Sequence, residues 1–81
     1  MKTICEAVKF RITALLEERK MTQYRLEQNS DVAHGIMNGI MLLRNKSVDL
    51  MTVVKIAGGF DMTVAEFLDD KLFNEDNLRV T

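Results

Sequence analysis

Not one proline interrupts this chain of 81 residues, and its four glycines are Gly35, Gly39 and the adjacent pair Gly58-Gly59. Proline is the firmest helix breaker, and glycine supplies the left-handed corners of tight turns, so a chain this poor in both has little material for hairpins. With 47% hydrophobic and 28% charged residues it falls in the range of folded globular domains, so the shortage of turn formers predicts helices rather than disorder. A length of 81 residues holds one domain around one small core, which excludes a multidomain enzyme.

Several function classes drop out on residue counts. The single Cys5 permits no internal disulfide, and Cys5 with the only histidine, His34, cannot supply a zinc-finger ligand set. No apolar run approaches the roughly 18 residues needed to span a bilayer, and Glu6 falls where a secretion leader stays apolar, so a soluble cytoplasmic protein is expected. No Ser-His-Asp, Cys-His, paired-carboxylate or phosphate-loop arrangement occurs at usable spacing. The chain is therefore expected to be no enzyme and to need no cofactor or metal, and Cys5 reads as a small hydrophobe in the first helix.

The apolar spacing and the cap residues divide the chain into five helices. Thr3 and Glu6 form a capping box, and Ile4, Val8, Ile12, Leu15 and Leu16 then share one face, which predicts a helix over residues 4–19. Thr22 is an N-cap for a short helix to Asn29, followed by a turn at Asn29-Ser30-Asp31. Val32, Ile36, Met37, Ile40 and Met41 mark a third helix to about Leu42, weakened by Gly35 and Gly39 at about 1 kcal/mol each. Asp49 caps a fourth, with Leu50, Val53, Val54 and Ala57 as its inner face and Gly58-Gly59 as its left-handed stop. Thr63 and Glu66 make a second capping box for a fifth helix through Val64, Phe67 and Leu68.

Charge is divided as unevenly as the net value of −1 is bland. Residues 1–58 hold nine Lys and Arg against six Asp and Glu, whereas residues 59–81 hold two against six. A basic body of residues 1–68 and an acidic tail of residues 69–81 follow as the domain organisation. The tail's Leu72, Phe73, Leu78 and Val80 are too apolar for a solvated end and should pack on the domain or on a dimer partner.

Two helices joined by a turn of three or four residues, inside a set of five, are the layout of a helix-turn-helix. From Ile12 to Leu68 the chain resembles the Cro and phage-repressor type of that motif, the XRE family. The resemblance rests on Leu15-Leu16-Glu17-Glu18-Arg19-Lys20-Met21-Thr22-Gln23, on Leu26, on Ser30-x-Val32, and on Met37 and Ile40. It continues in Leu50-x-Thr52-Val53-x-Lys55-Ile56-Ala57 and Met62-Thr63-Val64-Ala65-Glu66-Phe67-Leu68. Three positions depart from the family pattern: Glu27 stands for the usual alanine, Asp31 for glycine, and Leu42-Leu43 for Asn-Gly. Asp31 should then adopt positive φ, and Glu27 must swing to solvent or find a basic partner.

The resemblance implies an all-α, lambda-repressor-like fold that binds double-stranded DNA, as a homodimer, with a recognition helix near residues 33–42. Within it, Thr22 and Gln23 would meet a phosphate at a helix N-terminus. His34, Gly35 and Asn38 would face base edges, with Asn38 reading adenine, His34 donating to a guanine acceptor and Gly35 giving close approach. Arg44, Asn45 and Lys46 would grip the backbone beside the groove. Arg11, Arg19 and Lys20 have a lesser claim. Without the resemblance these residues read as solvated surface. An apolar surplus among Ile36, Met41, Leu42 and Leu43 suggests a dimer contact or a dock for Leu72 and Phe73 of the tail, and Gly35, Gly39, Glu27 and Leu42-Leu43 support an alternative, a protein interaction module on the same fold.

Overall fold

Four of the five helices begin on a side chain that the sequence supplies. The computed structural model describes residues 2–79. In α1, Ile4–Arg19, the Thr3 hydroxyl accepts from the Glu6 N–H at 3.1 Å while the Glu6 carboxylate accepts from the Thr3 N–H at 2.9 Å. The Thr22 hydroxyl accepts from the Arg25 N–H to open α2, Gln23–Ser30, and Asp49 accepts from the Thr52 N–H at 2.7 Å to open α4, Leu50–Gly59. Thr63 and Glu66 close the second capping box at the head of α5, Val64–Leu68. Only α3, His34–Met41, starts without a side-chain cap, on Ala33. Among the described residues there is no strand beyond one isolated parallel bridge between Lys2 and Leu78, so the domain is all-α.

The left-handed corners fall on residues other than glycine. Lys20, Asp31, Leu43 and Asp61 have φ of 53°, 58°, 57° and 59°, and no glycine has positive φ. Asp31 thus takes the conformation its place in the turn requires. Leu43 does so at greater expense, because a left-handed residue with a bulky side chain costs roughly 1–2 kcal/mol. Three helix ends are closed in this way: Met21, Arg44 and Met62 each donate back to a carbonyl five residues earlier at 2.9 Å.

Gly58-Gly59 is not the expected left-handed stop of α4. The helix runs through Gly59 to a cap at Phe60, and the left-handed residue is Asp61. The reason for glycine lies across the interface instead. A Cβ on Gly59 would stand 2.8 Å from Cβ of Ser30 and 2.9 Å from Cδ1 of Leu26, so the missing side chain is what lets α4 lie close against α2. The same contact extends α2 by one residue beyond the expected Asn29, since Ser30 is buried in the helix beneath Gly59.

Val8, Ile12 and Leu15 of α1 meet Leu26 of α2, Val32 in the turn, and Met37 and Ile40 of α3 in one core. Val53, Ile56 and Ala57 of α4 close it with Phe60 and Phe67. The inner face of α4 is rotated from the expected one: Leu50 is 67% exposed and Val54 is also exposed, while Ile56 and Phe60 are buried. The misread stop at Gly58-Gly59 hid the continuation of the spacing from Val53 and Ala57 to Phe60. Ile4 is exposed and Leu16 only half-buried, so α1 packs chiefly through Cys5, Ala7, Val8, Ile12 and Leu15.

Two arginines of α1 hold the C-terminal ends of other helices. Arg11 donates to the Phe67 carbonyl at 2.8 Å and the Glu66 carbonyl at 3.1 Å, pairs with Asp70 at 3.4 Å and lies over the Phe67 ring. Arg19 donates to the Phe60 carbonyl and lies over the Phe60 ring. A cation at a helix C-terminus meets unpaired carbonyls and the negative end of the helix dipole. Both side chains are therefore engaged within the fold.

The described part of the tail packs on its own chain. A 3-10 turn at Lys71–Phe73 lies on α1, and the Phe73 ring sits 6.0 Å from that of Phe67. A second 3-10 turn at Glu75–Asn77 leads to Leu78, where Lys2 donates to the Asn77 carbonyl and Arg79 to the Lys2 carbonyl. Val80, expected to pack with these residues, lies outside the described residues.

Candidate functional site

The α2–α3 unit carries most of the residues that the sequence singles out, joined by Asp31, Val32 and Ala33. Its centre is a residue that looked out of place. Glu27 is buried at 9% exposure where α2 meets α3, and it finds two partners. Gln23, one turn earlier, donates its amide Nε2 to Oε2 at 3.0 Å, and His34 Nδ1 lies 2.9 Å from Oε2 and 3.1 Å from Oε1. The Gln23 amide, more than burial opposes it, holds the Glu27 carboxyl below its ordinary range, and His34 adds to the effect. The carboxylate is therefore ionised near neutral pH.

This arrangement brings Gln23 and His34 together and occupies one polar end of each. Thr22 sits beside them, its hydroxyl spent on the cap of α2. His34 remains largely exposed, with its ring at 72%. Gly35 is exposed too, and a Cβ placed there would meet nothing within 4 Å. Asn38 is half-buried further along α3.

Arg44, Asn45 and Lys46 lie at the other end of α3, about 12 Å away by the rise of an eight-residue helix. All three are exposed. Asn45 lies across Gly39, where a Cβ would come within 3.1 Å of its Nδ2, so this glycine makes room for the loop after α3. Asn45 and Lys46 line a shallow depression with Leu43, with Thr3 and Glu6 at the start of α1, and with Arg79 of the tail. Sequence reasoning missed Arg79 here, because only the Lys2–Leu78 bridge brings the end of the chain beside the loop.

The expected apolar surplus is present. Ile36 is 50% exposed, Leu42 and Leu43 are exposed, and Met41 packs partly against the core. The described part of the tail leaves Ile36, Leu42 and Leu43 exposed: its Lys71–Phe73 turn lies on α1, and Arg79 only shares a shallow depression with Leu43. No helix among the described residues is long and apolar enough to cross a membrane. Cys5 is buried, which pushes its thiol pKa up and away from reactivity.

No protein-family model matches the chain, and no curated protein or solved structure matches it either.

Proposed function

We propose that the protein is a cytoplasmic, cofactor-free transcriptional regulator that binds double-stranded DNA as a homodimer, with α2 and α3 serving as a helix-turn-helix. One observation carries the reading. Among the five helices α3 alone starts without a side-chain cap, and its first turn, His34 and Gly35, is exposed with open space around the glycine. Uncapped N–H groups and the positive end of a helix favour phosphate oxygens, and the absent Cβ lets a backbone or base edge come close. Thr22 and Gln23 would flank that contact, Asn38 would read a base, and Arg44, Asn45 and Lys46 would hold the backbone beyond it.

The test is selection from a random duplex library followed by affinity measurements at increasing salt. Affinity for the selected duplex should fall steeply between low and moderate salt, and Lys46→Ala should weaken all duplexes alike and lower the salt slope by about one unit. Asn38→Ala should instead relax one position of the site, by about 1–3 kcal/mol.

A specific observation favours a second reading, a protein interaction module. Glu27 consumes polar groups of both Gln23 and His34, and exposed Ile36 on α3 lines a depression with the start of α4, whose Leu50 and Met51 are also exposed. Failure to select any duplex, together with self-association insensitive to salt, would favour that module over the DNA reader.

A further inference from the structure

We propose that Glu27 fixes His34 as a hydrogen-bond acceptor, so that His34 selects a base offering an exocyclic amino group in the major groove, adenine through N6 or cytosine through N4. The inference rests on the DNA-binding reading above and names what the exposed His34 side chain recognises.

An ionised carboxylate can only accept hydrogen bonds. Both oxygens of Glu27 face Nδ1 of His34, at 2.9 and 3.1 Å, and the Gln23 amide donates to the same carboxylate from the other side. Nδ1 must therefore carry the imidazole proton. In the neutral ring this leaves Nε2 with a bare lone pair. Nε2 has no hydrogen-bond partner among the described residues, and the ring stands exposed on the first residue of α3.

That end of the ring is what a base edge in the major groove would meet. Guanine presents only acceptors there, N7 and O6, and two acceptors do not bond. Adenine N6 and cytosine N4 present donors. With its proton held at Nδ1 by a residue seven positions earlier in the chain, the neutral His34 ring would accept from a base at Nε2, whereas the family resemblance implies donation to guanine. Glu27 acts as a positioning residue: it need not touch DNA to decide what His34 reads.

Two measurements on the full chain test this. Imidazole ¹⁵N spectra at about pH 8, above the ordinary histidine range, should show His34 protonated on Nδ1 and bare on Nε2. Glu27→Gln, whose amide can either donate or accept, should lose that fixed tautomer.

On the duplex from the library selection, His34→Ala should abolish preference at one position, and that position should be adenine or cytosine. Replacing it by the analogue lacking the amino group, purine or 2-pyrimidinone, should weaken the wild type roughly three- to tenfold, as for one lost hydrogen bond. The same replacement should leave His34→Ala unchanged, and Glu27→Gln should admit guanine there. A wild-type Nε2–H tautomer overturns the proposal, as does a guanine preference at that position or the absence of any His34-dependent position. If no duplex is selected while His34 shows the Nδ1–H form, the DNA-binding reading itself has failed and takes the base preference with it. An Nε2–H form in a protein that does select DNA overturns the inference alone.

Discussion

Helices α3 and α4 each contain one glycine facing open space, Gly35 and Gly58, and one at a close contact, but Gly39 meets the exposed loop residue Asn45 whereas Gly59 meets another helix. In α4, Gly59 is buried against Leu26 and Ser30, and Asp49 caps the helix start. In α3, Gly35 faces open space, the start has no side-chain cap, and inward packing comes from Met37 and Ile40 around the buried Gly39. Glycine costs both helices backbone entropy. Only at Gly59 does close packing against another helix repay it, so α4 is a structural wall whereas α3 is a thin element held from outside by the core and by the contact between Glu27 and His34. The thinner helix is the one that the proposed function would use for recognition.

The largest expected effect is on the wall. Phe60→Ala should cost about 3–5 kcal/mol, because a fully buried ring is lost and a cavity remains. Ile36→Ala on the exposed side of α3 should change the denaturation midpoint little. Equal losses from the two substitutions would erase the difference between the helices.

A pair of glycine substitutions gives the next effect, with opposite signs. Gly59→Ala forces a methyl into atoms under 3 Å away and should destabilise by roughly 1–3 kcal/mol, as overpacking does. Gly35→Ala meets no neighbour and should stabilise by up to about 1 kcal/mol through helix propensity. Thermal or denaturant unfolding of both proteins decides this. If Gly35→Ala also destabilises, the turn at the start of α3 is under a constraint other than packing.

The smallest effect sharpens how α3 is held. Glu27 binds its proton less readily in the folded protein than its ordinary value of 4.5 implies, so its stabilisation is complete above that pH and disappears as pH falls through the lower folded value. Asp49, kept ionised chiefly by its hydrogen bond from the Thr52 backbone N–H, follows the same rule at the head of α4. Denaturant midpoints followed from neutral pH down to about pH 3 should therefore show wild type and Glu27→Gln converging, and likewise wild type and Asp49→Asn. A constant gap for Glu27→Gln would mean that its partners hold the neutral side chain equally well.

Much of this fold was legible because its signals are local. Thr3 with Glu6, Thr63 with Glu66, Thr22 and Asp49 each answer to backbone N–H groups within three residues, and all four helix starts appear where those residues stand. The positive φ at Asp31 and the exposed surplus at Ile36, Leu42 and Leu43 are likewise consequences of spacing along a short segment. At the candidate site the sequence marked Glu27 as a carboxylate in need of a partner, and nearby Gln23 and His34 were within its reach to find.

What misled was information held by residues far apart in the chain. Gly58-Gly59 resembles a helix stop, and nothing near it reveals that Gly59 lies against Ser30, twenty-nine positions earlier. Arg11 and Arg19 resemble free cations until the carbonyls of Phe67 and Phe60 come within reach. The sequence alone determined an all-α domain and where its four capped helices start, since capping and periodicity act over three or four residues. Only the tertiary structure decided which face of α4 is inward, where the described tail lies and which side chains meet Glu27, because those depend on atoms brought together by packing.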